Sequence, residues 1–308
     1  MTINQHLSTF AGRPVRKFKV NMDAPTDPAG VAWRLTTNYD GGPDKFNRRF
    51  DALVGAPWAG QVRALVLGEW GESYDTTAPI ERLVAAAASM PNLMALFIGD
   101  MTSEENEVSW IKQADVAPLL RAYPGLQILR VRGADGLELS QVRHESLREL
   151  AFETGGLPAH IVAAVGECEL PALRHLELWL GTDDYGGDAD VDDLAVILSG
   201  SRWPQLEYLG LRDAEIVDLI AGALSGAPVV GRLSTLDLSL GILSDVGAAA
   251  LLAGQPLTHL RKLDLHHHFL SEEMMARLRE ELEPAGVEVD LSDAQEGDID
   301  DRFIAVSE

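Results

Sequence analysis

Eight times between residues 62 and 265 the chain repeats an apolar–x–x–apolar–x–apolar pattern, from Val62-Arg-Ala-Leu65-Val-Leu67 to Leu260-Arg-Lys-Leu263-Asp-Leu265. The intervening copies start at Leu93, Leu126, Leu147, Leu173, Leu206 and Leu233, so successive starts lie 31, 33, 21, 26, 33, 27 and 27 residues apart. Each copy alternates as a short strand does, with its last two apolar positions on one side. Between the copies the pattern turns helical. Pro79 to Met90 and Pro158 to Val165 each open on a proline suited to a first turn. Ser244 to Leu252 and Ser271 to Leu278 each open on an N-capping serine followed by acids that favour the positive end of the helix dipole. Outside the repeats, Val15 to Val20 predicts a strand, Asp44 to Leu53 a helix with Phe46, Phe50 and Leu53 on its apolar side, and Gly286 to Leu291 a ninth, closing strand.

Strand followed by helix, repeated in one direction, predicts parallel strands lining a concave face and helices on the convex side. A repeat of this length and pattern is the signature of a leucine-rich-repeat solenoid, and full helices point to the ribonuclease-inhibitor-like horseshoe. The expected organisation is one continuous array over 62–291, an N-terminal cap over 1–61 that covers the open end of the apolar stack, and a flexible, acidic C-terminal tail over 292–308 whose apolar end, Arg302 to Val306, is able to dock back. The asparagine or cysteine usual three residues beyond the third apolar position is replaced by Ala134, Gly181, Ala214, Gly241 and His268. Backbone groups or water must therefore satisfy the loops.

If the last two apolar positions face the core, the third, fifth and seventh positions of each signature cross the open face. In the first two repeats these are small or apolar: Ala64, Val66, Gly68, Ala95, Phe97 and Gly99. The third and fourth supply Arg130, Arg132, Glu149 and Glu153. The remaining four supply the candidate partner-binding surface: His175, Glu177, Trp179, Tyr208, Arg212, Asp237, Asp264 and His266. Trp179 and Tyr208 are suited to anchor a partner, because aromatics are over-represented in binding hot spots. Glu177, Asp237 and Asp264 form an acidic lane. Like charges on adjacent strands repel, and either a cationic ligand or nearby Arg212, Lys262 and histidines relieve that repulsion.

Composition changes the picture mainly by exclusion. Of 308 residues 46% are hydrophobic, and net charge is −23. Such a surface disfavours nucleic acid and anionic membrane; it serves solubility in the first place, and attraction of a basic partner is the alternative. The lone Cys168 excludes an internal disulfide and points to a reducing compartment. The first residues lack a signal-peptide pattern and no apolar run reaches spanning length, so a cytoplasmic location is expected. Two metal patterns are weak. His266-His-His268 with Asp264 invites an ion, but consecutive residues of a strand end point in different directions. The acids from Asp183 to Asp193 alternate like a calcium loop, yet from Asp188 the sixth and twelfth positions are Asp193 and Ser199, where glycine and glutamate are required. No catalytic constellation and no phosphate-binding loop is present, so neither enzyme activity, metal nor cofactor is expected.

Several stretches carry a more specific likeness: His6 to Gly12, Val31 to Leu35, Gly68 to Glu72, Phe152 to Pro158, Leu176 to Gly181, Tyr185 to Asp188, Leu263 to Ser271, Val287 to Asp293 and the ending Ala305 to Glu308. Together they resemble an uncharacterised bacterial leucine-rich-repeat family, common in actinobacteria and catalogued under a Salmonella locus tag. The resemblance implies a cytoplasmic protein of unassigned activity, with genes often beside radical-SAM and ATP-grasp type enzymes and hence a role in a modification pathway. It brings no catalytic residues. The reading that follows is a non-catalytic scaffold binding a protein or peptide. The alternatives are a metal-dependent accessory or enzyme centred on His266–His268 and Asp264, and a structural assembly subunit using the apolar patch around Phe97.

Overall fold

Each of the eight signatures forms a strand in the computed structural model, which describes residues 3–37, 41–298 and 301–307. Met1, Thr2 and Glu308, ends of the expected cap and tail, lie outside the described residues. The chain divides into two compact units, one up to residue 153 and one from residue 154.

In the first unit the strands are β1 (Thr9–Phe10), β2 (Arg13–Lys17), β3 (Ala32–Leu35), β4 (Ala64–Leu67), β5 (Ala95–Ile98), β6 (Ile128–Arg132) and β7 (Glu149–Glu153). The antiparallel β1 borders β2, and from β2 onward each strand pairs in parallel with the next. Helices α1 (Pro43–Val54), α2 (Ile80–Ala85) and α3 (Ala117–Ala122) lie between strands. Helix α1 buries Phe46, Phe50 and Leu53, the side its spacing predicts. Helix α2 stops at Ala85, short of the expected Met90, and the chain continues in turns toward Pro91, which disfavours helix at its predecessor.

The ladder runs further toward the N-terminus than the periodicity shows. Strands β2 and β3 lie inside 1–61, the segment expected to be a non-repeat cap, yet Ala32, Trp33, Arg34 and Leu35 pair with Ala64, Leu65, Val66 and Leu67 in repeat register. The signature is masked there because Gly30 stands at its first apolar position and Trp33 replaces a leucine.

The second unit carries β8 (His175–Gly181), β9 (Tyr208–Ala214), β10 (Thr235–Asp237), β11 (Lys262–Asp264) and β12 (Glu288–Asp290), all parallel and paired in chain order. Its helices are α4 (Ala159–Glu167), α5 (Ala195–Leu198), α6 (Val217–Leu224), α7 (Asp245–Leu252) and α8 (Glu272–Leu282). Ser244 accepts from the Val246 amide and Ser271 from the Met274 amide, so both serines cap as their sequence context predicts. The signature leucines, such as Leu176, Leu178, Leu209, Leu211, Leu236 and Leu263, are fully buried.

The loops without the usual asparagine are held by backbone. Gly133, Asp213, Leu240 and His267 each stand two residues past the last signature position, with φ of 99°, 51°, 69° and 58°. Each donates its N–H to the end of the next strand or the loop beyond it, at Glu153 O (2.9 Å), Ser239 O (2.8 Å), His266 O (2.9 Å) and Ser292 O (3.0 Å). The sheet ladder is thereby prolonged past the strand ends. In one loop a side chain also helps: the His268 imidazole accepts from the Leu270 amide at 3.1 Å and meets the Leu291 carbonyl at 3.2 Å.

Candidate functional site

On the first unit, the sheet face opposite the helices is occupied by the chain itself. Ala64, Val66, Ala95 and Phe97, expected to be open, are at most 1% exposed. They form an apolar cluster with Ala32 and Phe10, flanked by Leu7, Ala11 and Val15. The Phe10 and Phe97 rings stand 6.0 Å apart. The segment before β1 is tethered by the Leu7 amide to Asp100 Oδ1 (3.3 Å), and Asp100 also binds the Arg34 guanidinium. The apolar patch around Phe97 is therefore not a free assembly surface, which removes the basis of the structural-subunit alternative. A strip of apolar side chains gains most by leaving water, and the nearest chain able to cover it is the N-terminal segment. Phe10→Ser is expected to cost about 2 kcal/mol and to raise the fluorescence of an added hydrophobic dye. Unchanged dye binding would show that the segment covers nothing. Beside this cluster Arg130 pairs with Glu149 and Glu153, and Arg132 with Glu153.

The second unit brings the eight candidate residues onto one face. Glu177, Gly210, Asp237, Asp264 and Asp290 stand side by side in register across β8 to β12. The lane is already neutralised in part. Glu177 accepts from Trp179 Nε1 (2.8 Å) and Arg212 (2.6 Å) and meets His175 Nε2 at 3.2 Å. Arg212 also reaches Asp237 at 3.3 Å and donates to Ser239 Oγ at 2.9 Å, and its guanidinium lies 5.2 Å from the centre of the Trp179 ring. Tyr208 stacks on His175, with ring centres 3.8 Å apart, and donates its hydroxyl to Asp237 at 2.6 Å. Gly210 makes this convergence possible: a Cβ there would meet the Tyr208 ring and hydroxyl at 3.0 Å and Arg212 Cδ at 3.3 Å.

Burial and charge set the protonation of this network. Burial alone would lower the Arg212 pKa, but Asp237 and Glu177 outweigh it and hold the guanidinium charged. Burial, reinforced by the Glu177 and Asp237 charges, raises the Tyr208 pKa, so the phenol stays a donor. Trp179 is only 8% exposed, lying beneath Arg212 rather than projecting as an open anchor.

At the far end Asp264 accepts from Lys262 (2.8 Å) and binds His266 Nδ1 (2.6 Å), while Lys262 also reaches Asp290 at 3.4 Å. Ligand atoms of Asp264, His266 and Asp290 lie within 4.8 Å of one another, but the Lys262 ammonium already serves both carboxylates. The histidine run does not converge on Asp264. His267 meets Asp293 and the Phe303 carbonyl, and His268 the Leu291 carbonyl, because adjacent residues diverge at the strand end. In the calcium-like stretch the Asp190 carboxylate accepts from the amides of Asp192 and Asp193, and Asp188 from that of Ala159, the work of turn and helix caps.

Burial raises the Asp264 carboxyl, yet hydrogen bonds from His266 and Lys262 overcome it and hold it well below the usual carboxylate range. A depressed folded pKa contributes stability that is present above the unfolded value and is lost as pH falls toward the folded one. Wild type should therefore melt above Asp264→Asn at neutral pH, and the gap should close below about pH 4. A gap independent of pH would refute the assignment.

Sequence spacing put the eight candidate residues on the same side of the sheet, where the strands place them. It missed Asp290, although the ninth strand's register places it in the lane, and it missed Asp213, a buried carboxylate at a strand end.

The chain is thus an α/β protein with a mostly parallel sheet, and its second unit carries a polar side-chain lane. Among the described residues, no helix is long and apolar enough to cross a membrane. No protein-family model and no curated protein matches the chain. Among solved structures it is similar to a Bacteroides fragilis protein determined as a Northeast Structural Genomics Consortium target, with 28% identity, 89% of this chain and 77% of that chain covered, and a TM-score of 0.78. A second match, an internalin from Listeria monocytogenes, has 16% identity over 88% of this chain and 70% of that one, with a TM-score of 0.39.

Proposed function

We propose that the chain is a ribonuclease-inhibitor-like leucine-rich-repeat solenoid that acts as a non-catalytic scaffold, capturing a protein or peptide with basic groups. The face would comprise His175, Glu177, Trp179, Tyr208, Arg212, Asp237, Asp264 and His266. The carrying observation is the register of the lane: four carboxylates, Glu177, Asp237, Asp264 and Asp290, share one face with two permanent cations, Arg212 and Lys262. The remaining negative charge draws cationic side chains, and the flat His175–Tyr208 stack offers them an aromatic surface. The resemblance to a family encoded beside radical-SAM and ATP-grasp type enzymes supports a place in a cytoplasmic modification pathway, and a single cysteine, the buried Cys168, agrees with a reducing compartment.

Co-purification with the products of neighbouring genes tests this reading. Asp264→Ala and His175→Ala should each weaken recovery of the partner while leaving the circular-dichroism spectrum unchanged. Recovery equal to wild type in both variants would sink the proposal.

A further inference from the structure

The C-terminal tail crosses three loops with an unusual backbone. Asp213, Leu240 and His267 occupy equivalent places after β9, β10 and β11, and all three are left-handed without being glycine. Each such residue costs about 1–2 kcal/mol. Strain of this kind, repeated in three consecutive loops, persists where the geometry is used.

The tail contacts each of the three loops. The Val306 amide donates to Asp213 Oδ1 at 3.0 Å, the Ala305 amide to the Leu240 carbonyl at 2.8 Å, and His267 Nε2 lies 3.2 Å from the Phe303 carbonyl. Ile304, Ala305 and Val306 are buried, while Phe303 stays 55% exposed. The loops thus read an extended backbone and bury its small or branched side chains.

The occupant is an imperfect fit. Asp213 is fully buried, and its second oxygen, Oδ2, has no hydrogen-bond partner. Burial pushes its pKa well above the usual carboxylate range. In either protonation state one polar atom is left unsatisfied, at a cost of about 1–3 kcal/mol.

We propose that the groove over the loops after β9, β10 and β11 is a binding site for an extended peptide, with a run of small or branched apolar residues and an adjacent hydrogen-bond donor that pairs with Asp213 Oδ2; residues 303–306 are its resident, displaceable occupant. The groove is a separate surface from the acidic lane. The two meet at Ser239, whose carbonyl accepts from the Asp213 amide and whose hydroxyl accepts from Arg212.

The test uses the full chain with Ile304→Asp and Val306→Asp, which prevent the tail from burying itself, and a fluorescent peptide of residues 302–307. Fluorescence anisotropy should show saturable binding to this variant and binding about tenfold weaker to wild type, whose tethered tail competes. Peptides carrying lysine or asparagine at 305, 306 or 307 in turn should include one about tenfold tighter than the native peptide. That gain should vanish when Asp213→Ala is added. No saturable binding to a tail-displaced chain with native circular dichroism overturns the proposal, as does a gain that survives Asp213→Ala. If the variants fail to fold, hydrogen exchange on wild type decides: excess peptide should accelerate exchange at the Ala305 and Val306 amides and leave β9 unchanged. Unaltered exchange at those two amides overturns it.

Discussion

Arg212→Ala is expected to destabilise the unit from residue 154 by about 3–5 kcal/mol, the usual consequence of removing one partner from a buried ion pair. Its guanidinium serves Glu177 and Asp237 together, and those two carboxylates are 3% and 4% exposed. Without it both keep hydrogen-bond donors, Trp179 for Glu177 and Tyr208 for Asp237, but lose their shared cation, and Trp179 loses the cation above its ring. Lysine should restore only part of the loss, because a single ammonium cannot span both acids and stack on the indole. Urea unfolding followed by circular dichroism reads the effect. A loss under about 1 kcal/mol would place these acids in the class of solvated surface pairs and contradict the burial.

Gly181→Ala should cost about 2–5 kcal/mol, combining a left-handed backbone with overpacking. Gly181 has φ of +70°, and a Cβ there would stand 1.9 Å from the Gly155 carbonyl oxygen. That contact cannot relax cheaply, since Gly155 O accepts from the Thr182 amide and the Leu157 amide donates to Leu180 O. Gly186→Ala supplies the comparison: its φ is +92°, but nothing lies within 4 Å of the added carbon. Gly186→Ala should therefore show the conformational penalty alone, about 1–2 kcal/mol. Equal losses in the two variants, read from the same unfolding curves, would mean that the close approach at Gly181 is relieved by backbone movement.

The fold was legible wherever a residue's role depends on near neighbours in sequence. Leu206, Leu209 and Leu211 announce a strand by their own spacing, and Ser244 and Ser271 announce helix starts because a cap acts within three residues. The same alternation placed Tyr208 and Arg212 on the face that holds them. Legibility failed at β3, where Gly30 and Trp33 break the leucine spacing although the backbone pairs as in every other repeat. It failed also for Phe97, whose position on the sheet was right and whose exposure was wrong. What covers Phe97 is Phe10, 87 residues earlier.

By itself, then, the sequence determined the strand and helix periods, the order of the repeats and the charges that each strand carries on its open face. These follow from local stereochemistry and from a two-residue alternation that a single chain displays. Tertiary structure alone decided which acids are neutralised, that Arg212 bridges Glu177 and Asp237, that Phe10 covers Phe97 and that Val306 reaches Asp213. Those outcomes depend on pairs of groups separated by 25 to 93 residues. Their energy comes from burial and from ion pairing at contact distance, and neither exists until the strands are side by side.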